Sequence, residues 1–576
     1  MSNQKPVTSD DSPASCILHP LLAQMSPSDE QTPPILARGA DVAVTAGAGA
    51  GKTRTLVARY LSLLLDDLPL RSVVAITFTK KAAREMRNRV RQEVRRYLDA
   101  GQFTDEERTR WQRLYEALDA ARIGTIHSLC GELLRNHPAE AAIDPRFETL
   151  DEGQAALLLA QAVEAALAWA ADDPQAARLF ADFGEWELPR LLTQLLKQRL
   201  DIAALPRPDD GWAVWEPHLA SPLRAFVEDA AVQADFADLL ALRADGTLAR
   251  AEAAEDNLAA PLAELLRLWD NITAACAADD WATASVHLAP LRGAMKQVGR
   301  QANWSPANPK AIIKALQNRY DESIAALVGK GTDLALDQAL ATAILPELLR
   351  LYDYALATYT RLKEDRRALD FDDLEAGARA LLHDHPAARA RWQAEVRALL
   401  VDEFQDTNAR QRDLLALLNG DAGKLFIVGD GKQSIYRFRG ADVTVFRAAR
   451  REITAQGKAY TLKTSYRAHG DLVVALNALL QPVLGVDEDP ARPYVEPFAA
   501  LAHYRETPPA GLTPPYVELH LGVGSKAGGA LDKAAEALAT RLAALVESGH
   551  VQLATRDPDT GQSHTRPLDY GDIAIL

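Results

Sequence analysis

Residues 46–53 read Ala46-Gly47-Ala48-Gly49-Ala50-Gly51-Lys52-Thr53. Alternating glycines let main-chain N–H groups curl around a phosphate, and a helix that follows aims its N-terminus at the same anion. Lys52 would reach the outer phosphates of a nucleotide, and the Thr53 hydroxyl would hold Mg²⁺. Ala46 stands where the strict G-x-x-x-x-G-K-[ST] pattern has glycine, so the run departs from it by one residue. A second run is Leu400-Val401-Asp402-Glu403-Phe404-Gln405-Asp406. Here an apolar strand delivers adjacent carboxylates to its end. Asp402 could hold Mg²⁺, and Glu403 could take a proton from an attacking water. An acidic strand end alone is as often structural. Paired with a phosphate loop, it points to phosphoryl transfer.

These residues need a sheet to position them. DVAVTA, from Asp41, is a short β-rich run, and TRTLVARYLSLLL has helical spacing. SVVAITF is a second strand pattern, and a long helix starts near Lys80. Strand, loop, helix, strand, helix is the opening of a parallel α/β sheet. VRALLVDEF and KLFIVGD supply further strands of it. Ahead of these two, residues 133–365 are rich in Ala and Leu with few β-branched runs, which predicts a mostly helical insertion. Within it, residues 201–256 hold twelve Asp/Glu and four Arg, a net of −8. That composition reads as a solvated surface, with DNA repulsion or partner docking as the alternative. After about Thr461 a second α/β pattern begins. It has a helix after SYRAHGD, a strand PYVELHL, a long helix to about Glu547 and a strand-like DYGDIAIL. Ending inside a strand pattern reads as a truncation.

The chain has 576 residues, of which 48% are hydrophobic and 25% charged, enough for more than one core. Disordered, collagenous and low-complexity classes are excluded. Lys+Arg 64 against Asp+Glu 79 gives a net charge of −15. That balance argues against coating nucleic acid by bulk charge, though not against a local basic track. Cys16, Cys130 and Cys276 form no CxxC pair, which predicts a reducing, cytoplasmic setting. The first thirty residues carry no signal-peptide pattern. No uncharged apolar run reaches ~18 residues, so no membrane span is expected.

From Gln31 to Arg467 an ordered series of motifs resembles the UvrD/Rep-like superfamily 1 DNA helicases. AGAGAGKT is similar to the first motif, AITFTKKAAREM to motif Ia and IGTIHSLC to motif Ib. VDEFQDTN is similar to motif II, LFIVGDGKQSIYRFRGA to motif III and LKTSYRAHGD to motif IV. RFETLDEGQA, RRALDFDDLE and the long insertion lean toward the AddA/RecB-like helicase–nuclease subunits. The resemblance implies an α/β fold with a RecA-like P-loop NTPase lobe at 31–132 and 366–455. A helical insertion domain would occupy 133–365, a flexible tail 1–30, and the incomplete beginning of a second RecA-like lobe 456–576. ATP and Mg²⁺ are the implied ligands. The implied partners are single-stranded DNA, DNA ends and an AddB/RecC-like subunit, with 3′→5′ movement acting in repair or recombination. The family's later motifs and a nuclease block are not found before Leu576. A chain of this extent is therefore expected to bind or hydrolyse nucleotide weakly.

The resemblance also implies roles by position. Gln31 matches a glutamine that reads adenine, and Arg54 a residue near the base. Gln433 matches a γ-phosphate sensor, Tyr466 an aromatic that stacks on adenine, and Arg467 an arginine that reaches the γ-phosphate across the lobe cleft. Phe78 and Thr79, His127, Tyr436 and Phe438 fall at DNA-facing positions, where aromatics stack bases. Arg437-Phe438 stands where many relatives have Gly-Trp. Core packing is the structural alternative for each aromatic, and a satisfied structural histidine for His127. The helix from Lys80 to Arg96 carries eight Lys/Arg and two Glu, a net of +6. Arg84, Arg87, Arg91 and Arg95 share one face, opposite Ala83, Met86, Val90 and Val94. A solvated charged face is the first reading, and phosphate tracking the alternative. A nuclease-free UvrD-like helicase and a non-translocating ATP-binding DNA clamp stand as rivals. An unrelated P-loop NTPase has no need of QSIYRFRGA or TSYRAHGD.

Overall fold

A computed structural model describes residues 18–101, 104–207, 211–325, 334–420, 423–437, 440–489, 492–525, 529–556 and 563–575. The chain divides into two compact units, Met1–Phe147 with Phe371–Leu576, and Glu148–Asp370.

The first unit is a mixed α/β structure around a six-stranded sheet. Its strands are β1 (Val42–Ala46), β2 (Val73–Ile76), β3 (Ile123–Gly124), β4 (Ala398–Val401), β5 (Leu425–Gly429) and β6 (Lys458–Leu462). The spatial order is β3-β2-β4-β5-β1-β6, every pair parallel. Val44 lies between Val428 and Tyr460, and Ala75 between Ile123 and Leu400. Helices cover a parallel sheet on both faces, so its strands read as apolar runs. VVAI in β2 and ALLV in β4 are buried throughout. Because all strands run one way, the segments after Ala46, Ile76, Val401 and Gly429 leave the same edge. Ligands of open α/β sheets bind at that edge.

Four differences from the sequence expectations have local causes. The second lobe expected from residue 456 does not include residues 458–462. They pair along their whole length with β1 and complete the first sheet. The tail expected over 1–30 does not extend to residues 18–30, because Leu21, Leu22 and Met25 are buried in the first core. Residues 133–147 belong to the first unit rather than the insertion. Leu133 and Leu134 are buried, and Leu134 packs so closely on Gly377 that a Cβ there would lie 3.4 Å away. Finally, no strand forms over PYVELHL or the described part of DYGDIAIL. A strand needs a ladder partner, and Leu519 and Leu521 are 83% and 77% exposed. The segment lies instead along the helix Ala530–Glu547, where Arg541 pairs with Glu518 at 2.6 Å. Two short pairings were unforeseen: Thr464–His469 with Ala502–Arg505, parallel, and Gln552–Arg556 with Ser563–Pro567, antiparallel.

The second unit is helical apart from one short pairing, Glu148–Thr149 with Ala368–Leu369, among its described residues. Phe236 stacks on Trp269 in one core at 3.8 Å and 2°. Its other core packs the helix Glu152–Asp172 on Leu345–Asp365. Glu152–Asp172 is the one described helix long and apolar enough to cross a membrane. It buries Leu158, Ala162 and Ala166 in that core and exposes Gln161 and Glu164.

Candidate nucleotide and nucleic-acid site

The phosphate-loop residues turn tightly between β1 and the helix Lys52–Leu65. Gly47 N–H donates to the Leu462 carbonyl at 3.2 Å, and Ala50 N–H to the Gly47 carbonyl at 3.1 Å. Gly49 and Gly51 have φ of +77° and +83°. A Cβ at Gly49 would lie 2.7 Å from Arg467 Cβ, and one at Gly51 2.6 Å from Gln31 Nε2. Only glycine meets both the backbone and the space requirement there. Gly51 is also the helix N-cap, so no side chain competes for the first-turn amides. Among the described residues, the Ala48, Gly49 and Gly51 amides have no main-chain partner. The loop is thus a cradle of donors at a positive helix end.

Lys52 faces two other motifs. Its Nζ donates to Glu403 Oε2 at 2.5 Å and to Gln433 Oε1 at 3.0 Å. Glu403 sits in the left-handed region, φ 50° and ψ 46°, the one such residue in its strand-to-helix turn. For a glutamate this conformation is strained, and its neighbours hold it there. Burial, then the adjacent Glu403 charge, pushes the Asp402 carboxyl up to about 6. The same causes, in the same order, push Asp406 up to about 6. Asp406 Oδ1 is buried without a partner among the described residues. A carboxylate-rich pocket suits a hard cation with oxygen ligands. No group of three His, Cys, Asp or Glu placed to hold a metal occurs among the described residues.

The raised Asp402 pKa has a consequence for stability. The folded state holds that proton more tightly than the unfolded chain, so its contribution is present below about pH 4 and lost as pH rises through about 6. Without nucleotide or magnesium, Asp402→Asn is expected to melt higher than wild type at pH 8, and by a clearly smaller margin at pH 5. Melting curves at both pH values check this, and an equal offset at both would overturn it.

The remaining nucleotide candidates line the same loop. Gln31 is 3% exposed. Its Nε2 donates to the Ala50 carbonyl at 3.1 Å, and its Oε1 accepts from Ser28 N–H at 3.2 Å. Its amide therefore braces the loop in this structure. Arg54 donates to the Ser26 carbonyl at 3.2 Å. Tyr466 N–H donates to the Gly49 carbonyl at 3.0 Å, and its ring packs 4.8 Å from that of Tyr504. Arg467, exposed, follows directly above Gly49.

The nucleic-acid candidates divide. Phe78 and Tyr436, from different motifs, stack at 4.4 Å and 29°. Thr79 caps the helix Lys80–Ala100, its hydroxyl accepting from Ala82 N–H at 3.0 Å. His127 belongs to another cluster. Its Nε2 is 3.0 Å from Glu375 Oε1, and its ring stacks on Phe371 at 4.4 Å. Phe438 lies outside the described residues. The basic helix buries Ala83, Met86, Val90 and Val94, as its spacing predicts. Arg87 donates to the Ile123 carbonyl and Arg91 pairs with Asp119, each at 2.8 Å, while Lys80, Lys81 and Arg84 stay exposed. Sequence reasoning missed Gln405, Asp430 and Ser434 as site residues, although each lies inside a segment that carries the family resemblance, VDEFQDTN or LFIVGDGKQSIYRFRGA. The signal that could have found them was a polar side chain amid strand-end residues.

Residues 28–454 match the UvrD/REP helicase N-terminal domain. The chain is 30% identical over 527 residues to a Limosilactobacillus fermentum protein whose name describes one subunit of an ATP-dependent helicase/nuclease, covering 80% of this chain and 37% of that protein. It is 30% identical over 570 residues to the protein of the same name from Pelotomaculum thermopropionicum, covering 88% and 43%. To that of Bacillus mycoides it is 25% identical over 604 residues, covering 95% and 47%. The chain spans less than half the length of these curated relatives. The family match takes in the phosphate loop, the strand-end carboxylates and the Gln433 segment that meet at the sheet edge, and the chain belongs to the UvrD/REP helicase family.

Proposed function

We propose that this chain is the motor portion of an ATP-dependent DNA helicase acting on DNA ends in repair or recombination. The carrying observation is the contact of Lys52 Nζ with both Glu403 and Gln433. A phosphate-loop lysine, a strand-end carboxylate and the Gln433 amide then share one point, where a terminal phosphate would be read. In this reading the six-stranded sheet is a RecA-like lobe and residues 148–370 an insertion. The chain after Leu462 begins a second lobe, which supplies Tyr466 and Arg467.

The residues divide the work of hydrolysis. Residues 47–53 bind the phosphates through main-chain donors, and Lys52 neutralises the outer ones. A phosphate drawing Lys52 away from Glu403 would free that carboxylate to take the proton of the attacking water. The water oxygen bonds to the terminal phosphorus as the bond to the ADP oxygen breaks. Thr53 and Asp402 would hold Mg²⁺, which supplies charge neutralisation when bound. Gln433 senses the terminal phosphate and passes its state to the Tyr436 segment. Phe78 and Tyr436 offer ring faces to bases. We infer 3′→5′ movement and an AddB/RecC-like partner from the family resemblance, and a helicase–nuclease assembly from the relatives' names.

The reading predicts ATP turnover that rises when single-stranded oligothymidylate is added. It also predicts unwinding of a duplex with a 3′ overhang before one with a 5′ overhang. Turnover indifferent to single-stranded DNA would overturn the motor reading.

A further inference from the structure

Gln405 is 1% exposed and lies between the two motifs that face Lys52. Its Nε2 donates to Glu403 Oε2 at 2.9 Å. Its Oε1 accepts from Asp430 N–H at 3.0 Å. Asp430 Oδ2 in turn accepts from Gln433 Nε2 at 2.9 Å. With the two Lys52 contacts, these bonds close a ring through Lys52, Glu403, Gln405, Asp430 and Gln433. The Gln405 carbonyl also accepts from Ser434 Oγ at 3.1 Å. Ser434 stands two residues before Tyr436, the ring stacked on Phe78. The fit is close on the sheet side too, since a Cβ at Gly429 would lie 2.7 Å from Gln405 Oε1.

The amide is thus bound at both ends, once to the carboxylate that would take the proton and once to the segment that carries Gln433 and Tyr436. A buried amide with both ends engaged cannot move at one end without disturbing the other. We propose that Gln405 is the positioning residue through which the Tyr436 segment sets the orientation of Glu403, so that single-stranded DNA raises the rate of hydrolysis. Gln405 touches neither nucleotide nor DNA in this scheme. The strained backbone of Glu403 makes its orientation dependent on such neighbours. The proposal rests on the helicase reading above.

The test uses the full chain with ATP and a single-stranded oligothymidylate, with kcat and KM measured with and without DNA. Gln405→Met keeps the length of the side chain and removes its three side-chain hydrogen bonds, to Glu403, to Asp406 and from Asp430 N–H. DNA-stimulated kcat is expected to fall about 10–100-fold, the scale of a misplaced catalytic group. KM for ATP should stay within about threefold, and the rate without DNA should fall by less than the DNA-stimulated rate, so that the stimulation ratio drops. Because Gln405→Met could unfold, Ser434→Ala provides a second arm that removes one bond at the surface of the ring. It should lower the stimulation ratio about threefold with KM unchanged. Full stimulation in a folded Gln405→Met, or in Ser434→Ala should the first variant unfold, would overturn the proposal. So would a loss that appears in KM and in the DNA-free rate alike, as a purely structural role requires. A wild-type chain that DNA does not stimulate at all would instead sink the helicase reading itself.

Discussion

Glu403→Gln is expected to lower DNA-stimulated ATP turnover about 10²–10⁴-fold, the range for loss of a general base, while nucleotide binding persists. The substitution is isosteric, so the tight turn at φ 50° and the burial of the adjacent Phe404 are kept. What changes is charge. An amide cannot take the proton of the attacking water, and Lys52 loses the counter-ion that sits 2.5 Å away. That lysine then becomes more available to phosphate, so affinity for ATP should hold or rise. Single-turnover hydrolysis and titration with a fluorescent ATP analogue separate the two effects. Turnover within about threefold of wild type would remove Glu403 from the chemistry. A parallel loss of binding would mean that its role is to hold Lys52.

Arg467→Ala is expected to cost more, about 10³–10⁵ in rate if the residue acts as an arginine finger. The geometry supports that role. The strand Thr464–His469 is tied to the phosphate loop by the Tyr466 N–H bond to the Gly49 carbonyl. Arg467 Cβ passes so close to Gly49 that a methyl group there would collide with it at 2.7 Å. An exposed guanidinium rooted above the loop can bring charge to the terminal phosphate without first leaving a core. Because the side chain is exposed, thermal stability should hardly change. Arg467→Lys keeps the charge but not the planar fork, and should recover only part of the rate. The check is kcat/KM for the three proteins beside their melting temperatures. An unchanged kcat/KM in Arg467→Ala would overturn the assignment.

The candidate residues of the sheet edge were legible from the order of residues. A phosphate loop is local, since its glycines, lysine and threonine are contiguous and its conformation follows from φ at Gly49 and Gly51. Strand patterns were legible where both faces are buried, because a parallel strand must then be apolar throughout, as β2 and β4 are. The same logic failed for PYVELHL, whose alternation is real but whose ladder partner is missing among the described residues. It also misplaced residues 458–462. Their pattern marks a strand, but only pairing shows which sheet accepts it.

What the sequence by itself determined, then, is which residue types stand at strand ends and in which order. Periodicity and contiguous motifs are short-range properties, and they are written in neighbouring residues. Tertiary structure alone decided which of those ends meet. Lys52 and Glu403 lie 351 positions apart, and nothing local links them. Tertiary structure also drew Gln31 into a brace for the phosphate loop, bound His127 to the buried Glu375 and stacked Phe78 on Tyr436. The physical reason is that a hydrogen bond or ring contact depends on distance in space, and a parallel sheet brings together strand ends that are remote in the chain.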